Sequence, residues 1–427
     1  MTFSFARSWL LVLLPAAALC FPLAGHAQQV VSPVPLPRQS PSVVLRPPRT
    51  GRVNASAPAP ALNFNRRARR HRPPPKPVIE FVPGGTVSSA PVFGPNGIVY
   101  LASWNCRVYA LDSMTGALKW KFTAPKMFNA SPVVGTSGTV YAGAYDGKVY
   151  ALDGETGAKK WEFATRALLN ATPALSASGD TVYVGGHDRT VYALASDNGA
   201  VKWRTLVGAA ASSPAVDKDG AVYVGADKIY ALKPGDGTTK WQFPTGYDAA
   251  SPVAAGDNGL VYAQAHDSAG RSQICALDDR TGRQLWAYPL AERMAFPPVS
   301  SDGRVYVGAD QLYALRQSSG HLVWQYGQGG VRWSTPTVYQ GIVCAGSGSG
   351  QVVALDAAKG DVLWTFATND PLLSFPRFGP RGIVYVACEG DRKVYALQGR
   401  TGKVLWQFTQ DPLPVPAAPS TPRRTKS

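Results

Sequence analysis

Apolar and polar residues alternate in short runs between residues 80 and 409, and this alternation is typical of half-buried β-strands. One unit of thirteen residues recurs eight times without a gap. Its first half alternates like a strand and contains Ala-Leu in every copy, and a Gly stands four residues before a closing Trp. This arrangement predicts a β-hairpin in each unit. The closing tryptophans are Trp120, Trp161, Trp203, Trp241, Trp286, Trp324, Trp364 and Trp406.

The spacing of these tryptophans, between 38 and 45 residues, is the second signal. Another pair of strand-like runs precedes each hairpin, and its first run opens with a proline. Because proline cannot donate to a β-ladder, we expect this run to be the innermost edge strand. Four strands per repeat of this length predict an all-β fold, an eight-bladed β-propeller of four-stranded antiparallel blades over residues 78–409. The prolines are Pro91, Pro132, Pro173, Pro214, Pro252, Pro298, Pro336 and Pro376.

The recurring residues suggest how the blades hold together. We expect each indole to pack against the neighbouring blade, with the nearby Ala leaving room for it. The Gly is expected at positive φ in the hairpin, where residues such as Asp153 and Thr156 cap the turn. A tyrosine that recurs at one register of the third strand is expected to serve packing. It is found at Tyr109, Tyr150, Tyr192, Tyr230, Tyr313 and Tyr395.

Residues 78–82 look like an additional fourth strand, with Ile79 at the tryptophan position. The chain therefore has nine candidates for eight outer positions. We expect the strand of Trp406 to complete the eighth blade, because it carries the docking indole.

The two ends of the chain differ from the repeats. Residues 1–27 have the basic start, apolar run and small-residue cleavage site of a secretory signal peptide. Residues 28–77 and 410–427 are rich in proline and lack apolar periodicity, which predicts a disordered basic linker and a disordered tail. Cys20 follows Leu19, where a lipid-attachment site requires a small residue, so a lipid anchor is the less favoured alternative. The sequence predicts export to the periplasm or cell surface, with no transmembrane segment after cleavage.

The formal net charge of +16 belongs mainly to these ends. Residues 80–409 carry 29 Lys or Arg against 26 Asp or Glu, whereas residues 38–76 carry ten Lys or Arg and no acidic residue. The folded part is therefore nearly balanced, and no nucleic-acid partner is expected. The basic segment 38–76 is instead expected to contact an anionic surface.

Four cysteines remain after cleavage, and their spacing matches no metal site. Cys275 and Cys344 stand where sister repeats have tyrosine, so they are expected to be small buried residues. Cys106 and Cys388 fall in the first and last repeats. A closed ring would make those repeats neighbours, so a disulfide between the two cysteines stays open.

The Ala-Leu-Asp-x-x-Thr-Gly-x-x-x-Trp pattern resembles the pyrroloquinoline-quinone (PQQ) repeat family, and the resemblance covers residues 78–409. It implies a tryptophan-docking propeller. The family includes quinoprotein alcohol dehydrogenases, which hold PQQ and Ca²⁺, and non-catalytic propellers such as the BamB-like scaffolds of outer-membrane β-barrel assembly. The dehydrogenases typically carry adjacent cysteines and long insertions. This chain has neither, so the resemblance favours the non-catalytic branch.

The first functional hypothesis is accordingly an exported, monomeric, non-catalytic binding or scaffold protein of the cell envelope. It would bind a protein partner and no cofactor. One alternative is a PQQ- and Ca²⁺-dependent dehydrogenase of alcohols or sugars. Another is a sensor for a small ligand or a polysaccharide.

Propellers usually bind at the channel mouth, where loops lead into the innermost strands. The segments before the prolines vary here, and Trp333 stands outside the tryptophan register. Trp104 is also out of register and is expected to be exposed in a hairpin loop. Either the mouth residues form a ligand patch, or they satisfy loop backbone groups and line a water-filled channel. The candidate patch consists of Asn129, Asn170, Asp248, Arg293, Arg332 and Trp333.

Overall fold

A computed structural model describes residues 89–246, 252–292, 294, 297–327, 331–368, 375–388 and 391–410. All of them belong to one compact unit, Arg72–Ser427. The predicted signal peptide, the predicted linker, residues 78–82 and the predicted tail beyond Gln410 lie outside the described residues. Within the described part, no helix is long and apolar enough to cross a membrane.

The described strands form eight antiparallel sheets of four, and each sheet contains four consecutive strands. Blade 1 contains β1 (Val92–Phe93), β2 (Ile98–Ser103), β3 (Arg107–Asp112) and β4 (Leu118–Thr123). Blade 2 contains β5 (Val133–Val134), β6 (Thr139–Gly143), β7 (Lys148–Asp153) and β8 (Lys159–Ala164). Blade 3 contains β9 (Ala174–Leu175), β10 (Thr181–Gly185), β11 (Thr190–Ala195) and β12 (Val201–Leu206). Blade 4 contains β13 (Ala215–Val216), β14 (Val222–Gly225), β15 (Lys228–Leu232) and β16 (Thr239–Pro244).

The second half of the ring repeats this order. Blade 5 contains β17 (Val253–Ala255), β18 (Leu260–His266), β19 (Ser272–Asp278) and β20 (Gln284–Pro289). Blade 6 contains β21 (Val299–Ser301), β22 (Arg304–Gly308), β23 (Leu312–Arg316) and β24 (Leu322–Tyr326). Blade 7 contains β25 (Thr337–Tyr339), β26 (Ile342–Gly346), β27 (Gln351–Asp356) and β28 (Val362–Ala367). Blade 8 contains β29 (Arg377–Phe378), a 3₁₀ turn (Pro380–Gly382), β30 (Ile383–Ala387), β31 (Lys393–Gln398) and β32 (Val404–Thr409).

The eight blades close into a ring. First strands of neighbouring blades lie against each other, as β1 and β5 or β25 and β29 do. Blades 1 and 8 share one apolar cluster, and the Trp406 indole of blade 8 donates to the Ser113 carbonyl of blade 1 at 3.0 Å. The eight-bladed propeller is therefore confirmed. So is the role of the Trp406 strand, because β32 pairs with β31 as the fourth strand of blade 8.

Each predicted proline stands immediately before the first strand of its blade, which confirms its place at the inner edge. The inner strands are short and half-exposed, whereas the second and third strands are almost fully buried. Hydroxyl groups link some inner segments across blades. Ser131 Oγ accepts the Ala90 N–H at 2.9 Å, and Ser213 Oγ accepts the Thr172 N–H at 2.9 Å.

All eight closing indoles dock on the next blade through the same hydrogen bond. Each Nε1–H donates to a backbone carbonyl in the turn between the third and fourth strands of that blade, at 2.7 to 3.0 Å. Each indole is also buried. Within its own blade, the Trp of the fourth strand lies opposite the Ala of the Ala-Leu dipeptide in the third strand, as Trp120 lies opposite Ala110. We call these eight residues the tryptophan belt.

The glycine of each hairpin has a second role that the sequence analysis missed. Gly157 has a φ of 74°, as expected for the turn, but a Cβ there would also lie 2.7 Å from the Trp120 ring. The same close approach recurs beneath each of the eight belt indoles. The repeat therefore keeps glycine because the preceding blade's indole lies on that Cα, in addition to the turn conformation.

The turn caps and the recurrent tyrosines behave as expected, with one addition. Asp153 Oδ1 accepts hydrogen bonds from the Thr156 N–H and the Thr156 hydroxyl, both at 3.0 Å. Tyr150 is buried, and its hydroxyl donates to Asp146 Oδ2 at 2.6 Å. Equivalent tyrosine–aspartate pairs occur in blades 3, 4, 6 and 8, so these carboxylates are held by their own blade.

The four described cysteines are free thiols, so Cys106 and Cys388 form no disulfide in this structure. Cys275 and Cys344 are fully buried, as expected for small core residues. Burial raises the pKa of the Cys275 thiol to about 12 and raises the pKa of Cys344 as well. Both thiols are therefore inert packing groups at neutral pH.

The outer strands divide the ring into two halves. Those of blades 1–4 carry eight charged residues, and those of blades 5–8 carry none. We call the outer strands of blades 5–8 the uncharged rim. Its exposed large apolar residues are Leu285, Leu322, Val323, Val362, Leu363, Val404 and Leu405.

Candidate functional site

The channel mouth is formed where each chain segment crosses from one blade to the next. In a four-stranded meander, this crossing loop and the turn between the second and third strands lie at the same end of the sheet. Hydrogen bonds join them. The Tyr145 N–H donates to the Met127 carbonyl at 2.9 Å, and the His187 N–H donates to the Leu168 carbonyl at 3.3 Å. We call this end of the ring the mouth face.

A buried residue anchors several of the crossing loops. The N–H groups of Phe128, Leu169, Ala211 and Trp333 each donate to a carbonyl in the turn after the second strand of the preceding blade, at 2.8 to 3.2 Å. All four side chains are buried in the clusters between blades. Trp333 therefore belongs to a second structural register. Only 5% of Trp333 is exposed.

Asn129 and Asn170 follow two of these anchors, in loops that are one residue longer than the loops of Ala211 and Trp333. The structure brings the two asparagines together across blades 1 to 3. The Asn129 amide donates to Asn170 Oδ1 and, at 3.1 Å, to the Tyr145 hydroxyl. Trp104 Nε1–H donates to Asn129 Oδ1 at 2.5 Å. Asn170 is exposed, so this network reaches solvent.

Two neighbouring residues, Tyr145 and His187, were not among the predicted site residues. Trp104, Tyr145 and His187 occupy equivalent positions of blades 1 to 3, four residues after the recurrent Tyr of the second strand. That spacing was the available signal. Trp104 is half-buried rather than exposed. Desolvation raises the pKa of the half-buried Tyr145 hydroxyl and lowers the pKa of the His187 imidazole, although His187 is exposed, so both groups are neutral at pH 7. We call Trp104, Asn129, Tyr145, Asn170 and His187 the mouth cluster.

Arg332 lies elsewhere on the ring, between blades 6 and 7. Its side chain is exposed, and its Nε lies 3.6 Å from Glu292 Oε2. A shallow cleft of about 400 Å³ lies nearby, lined by Tyr326, Val331, Trp333 and others. Arg332 therefore does not join Asn129 and Asn170. Asp248 and Arg293 lie outside the described residues.

A quinone cofactor with calcium would need a carboxylate-rich metal site. Among the residues that the structure describes, no group of three or more His, Cys, Asp or Glu is placed to hold a metal ion. The mouth-face aspartates of blades 2, 3 and 4 are held instead by Tyr150, Tyr192 and Tyr230. The donor set of the described residues does not match this requirement.

Comparison with known proteins gives one family. The family model described as outer membrane protein assembly factor BamB matches residues 47–231, 188–295, 225–335 and 311–425. The outer membrane protein assembly factor BamB of Yersinia pestis is 29% identical over 150 residues, which cover 31% of this chain and 38% of that protein. The matched region thus spans well under two thirds of this relative.

Solved structures agree on the fold. BamB from Moraxella catarrhalis superposes with a TM-score of 0.57 at 18% identity, covering 76% of this chain and 98% of that one. The quinohemoprotein alcohol dehydrogenase ADHIIG from Pseudomonas putida HK5 superposes with a TM-score of 0.58 at 16% identity, covering 80% of this chain and 78% of that one. At such identities the likeness shows the propeller fold alone.

Proposed function

This chain belongs to the family described as outer membrane protein assembly factor BamB, and from that premise we propose that it is a non-catalytic propeller of the cell envelope that binds a protein partner. The uncharged rim is the observation that supports binding of a protein partner. Its outer strands expose aliphatic side chains to solvent by 38 to 48%.

The rim contrasts with the other half of the ring. Leu363 is 47% exposed and Leu405 is 46% exposed, each in an outer strand without a charge. At the same position, directly before the belt tryptophan, blades 1–4 have Lys119, Lys160, Lys202 and Lys240. Charged side chains on an edge strand discourage another chain from pairing with it. The outer strands of blades 5–8 have no charged side chain that would discourage such pairing.

The chemistry of the partner follows from this edge. An outer strand presents unpaired backbone donors and acceptors, so an extended polypeptide segment can pair with it as a fifth strand. Apolar side chains on that segment would be buried against Leu363 or Leu405, whereas a charged segment would lose hydration without gaining a counter-charge. The proposed partner segment is therefore extended and uncharged.

Photocrosslinking in intact cells tests this proposal. A photoreactive amino acid replaces Leu363, Leu405 or, as a control of equal exposure, Val201, which is 46% exposed in an outer strand of the charged half and lies one residue further from its tryptophan. We expect crosslinks to the same protein from positions 363 and 405 and none from position 201. No crosslink at the rim, or equal crosslinks at all three positions, would overturn the proposal.

The basic segment 38–76 adds a second part to the proposed function. We propose that export brings the chain to the periplasm or cell surface, and that this segment holds it near an anionic surface there. Deleting residues 28–77 should release the protein from envelope membranes more at low salt than at high salt, because salt screens such contacts. Equal retention at both salt concentrations would contradict this part alone.

The mouth cluster supports a ligand role that is separate from the rim. We propose that Asn129 and Asn170 contact a small ligand at the mouth face, because Asn170 is exposed and its amide nitrogen has no hydrogen-bond partner among the described residues. Half-buried Trp104 and Tyr145 offer ring faces beside it.

A further inference from the structure

The inner strands of the ring contain one charged residue. All eight inner strands are described, and the residue directly after each proline is small or apolar in seven of them. In β29 that residue is Arg377. The series is Val92, Val133, Ala174, Ala215, Val253, Val299, Thr337 and Arg377. A cation thus stands at a position that the other repeats keep uncharged.

The Arg377 side chain is exposed, and its strand, β29, is the inner edge of blade 8, next to the central channel. Its neighbour Phe378 packs in the cluster between blades 7 and 8 and stacks on Tyr339 at 5.4 Å. Because side chains alternate along a strand, Arg377 points away from that cluster. It follows Pro376 directly, so it lies at the mouth-face end of the channel.

No described residue forms an ion pair or a hydrogen bond with the Arg377 guanidinium. The nearby mouth-face carboxylate of the same blade, Asp391, accepts the Tyr395 hydroxyl and the Lys393 N–H. Corresponding aspartates in blades 2, 3 and 4 are held by tyrosines in the same way. These carboxylates are therefore engaged within their own blades.

A guanidinium that has no partner among the described residues, in such a place, favours a bound anion. Desolvation by the surrounding protein lowers the pKa of Arg377 even though its side chain is exposed to the channel, but an arginine stays protonated at neutral pH. An anion from solution would offset this cost, and the planar fork of five N–H groups matches a carboxylate or a phosphate through two parallel hydrogen bonds.

We propose that the central channel binds a small oxyanion, a carboxylate or a phosphate, through Arg377. This site goes beyond the proposed protein-binding role, because it uses neither the uncharged rim nor the mouth cluster. Its failure would leave the crosslinking result at the rim untouched.

Isothermal titration of the mature full chain tests the site, with succinate and inorganic phosphate as probes at constant ionic strength in chloride. We expect saturable binding of at least one probe at one site. Arg377→Gln should weaken it about tenfold or more, because the charge and the fork are both lost. Arg377→Lys should weaken it less, since the charge stays. Arg400→Gln, an exposed arginine of the same blade at the opposite end of the sheet, should leave the affinity within about twofold.

Binding of succinate alone would identify a carboxylate site, and binding of both probes would identify a general oxyanion site. Absence of saturable binding to both probes, or equal binding by wild type and Arg377→Gln, would overturn the proposal. If Arg377→Gln does not fold, unchanged affinity in Arg377→Lys counts against the site.

Discussion

The tryptophan belt and the mouth face are built from the same eight repeats, yet one is uniform and the other differs from blade to blade. In the belt, every indole donates to the next blade over distances between 2.7 and 3.0 Å. At the mouth, the equivalent positions hold Trp104, Tyr145, His187 and Gly348, and the loops differ in length. Repetition thus fixes the fold, and the departures from repetition carry the chemistry.

Truncating a belt indole should have the largest effect on stability. We expect Trp161→Ala to lower the free energy of unfolding by about 3 to 5 kcal/mol, because a buried ring and its hydrogen bond to the Ser196 carbonyl are lost. Trp104→Ala at the half-buried mouth position should cost about 1 kcal/mol or less. Urea unfolding followed by circular dichroism measures both. Equal losses would erase the distinction between belt and mouth.

The glycine beneath an indole sharpens the same comparison. Gly157→Ala should lower the free energy of unfolding by about 2 to 4 kcal/mol, because its Cβ would meet the Trp120 ring and its φ is positive. The matched control is Gly341→Ala, which has a φ of 77° but open space around the added Cβ. It should cost only about 1 kcal/mol. Similar losses for both variants would mean that backbone conformation alone selects glycine in the repeat.

The turn aspartates next to the belt predict a pH dependence of smaller size. Hydrogen bonds from the Thr156 N–H and hydroxyl lower the pKa of Asp153, and the Thr281 hydroxyl and N–H lower the pKa of Asp278. A lowered folded-state pKa stabilises the fold above the unfolded pKa of about 4, and this stability is lost as pH falls through the folded value. The urea concentration at the midpoint of unfolding should therefore decrease as the pH is lowered below about 4. Asp153→Asn with Asp278→Asn should flatten this fall. An unchanged slope in the double variant would contradict the assignment.

Substitution at the mouth cluster should have the smallest effect on stability. Asn170→Ala should change the free energy of unfolding by no more than about 0.5 kcal/mol, because the side chain is exposed. The same change should still reduce ligand binding at the mouth, which a screen of glycans and small metabolites by thermal shift would detect. A large loss of stability would assign Asn170 a structural role and remove it from the proposed patch.

Most of the fold could be predicted from the sequence, because the same residues recur at the same positions in all eight repeats. The Ala-Leu strand, the turn glycine, the closing Trp and the opening Pro each occupy the expected place. The second role of Gly157 could not be predicted, since the residue that covers it, Trp120, belongs to the preceding blade. Contacts between blades depend on ring geometry, which a single repeat does not display.

The candidate site was predicted less well, for the opposite reason. Asn129 and Asn170 were found because they recur at one offset, and the structure joins them. Trp333 occupies the anchor position instead, because its loop is one residue shorter between anchor and proline than the loops of Asn129 and Asn170. Arg377, which directly follows Pro376, was not predicted as a site residue. Positions that break the repeat have no sister copies from which their surroundings can be inferred.

Hydrogen exchange of the indole N–H groups, read by ¹H–¹⁵N spectroscopy, tests most directly whether the eight docked indoles close the ring. The account predicts slow exchange for all eight belt tryptophans, including Trp406, which joins the last blade to the first. Fast exchange of the Trp406 N–H, with the other seven protected, would show that the ring is open between blades 8 and 1. Fast exchange throughout the belt would contradict indole docking altogether.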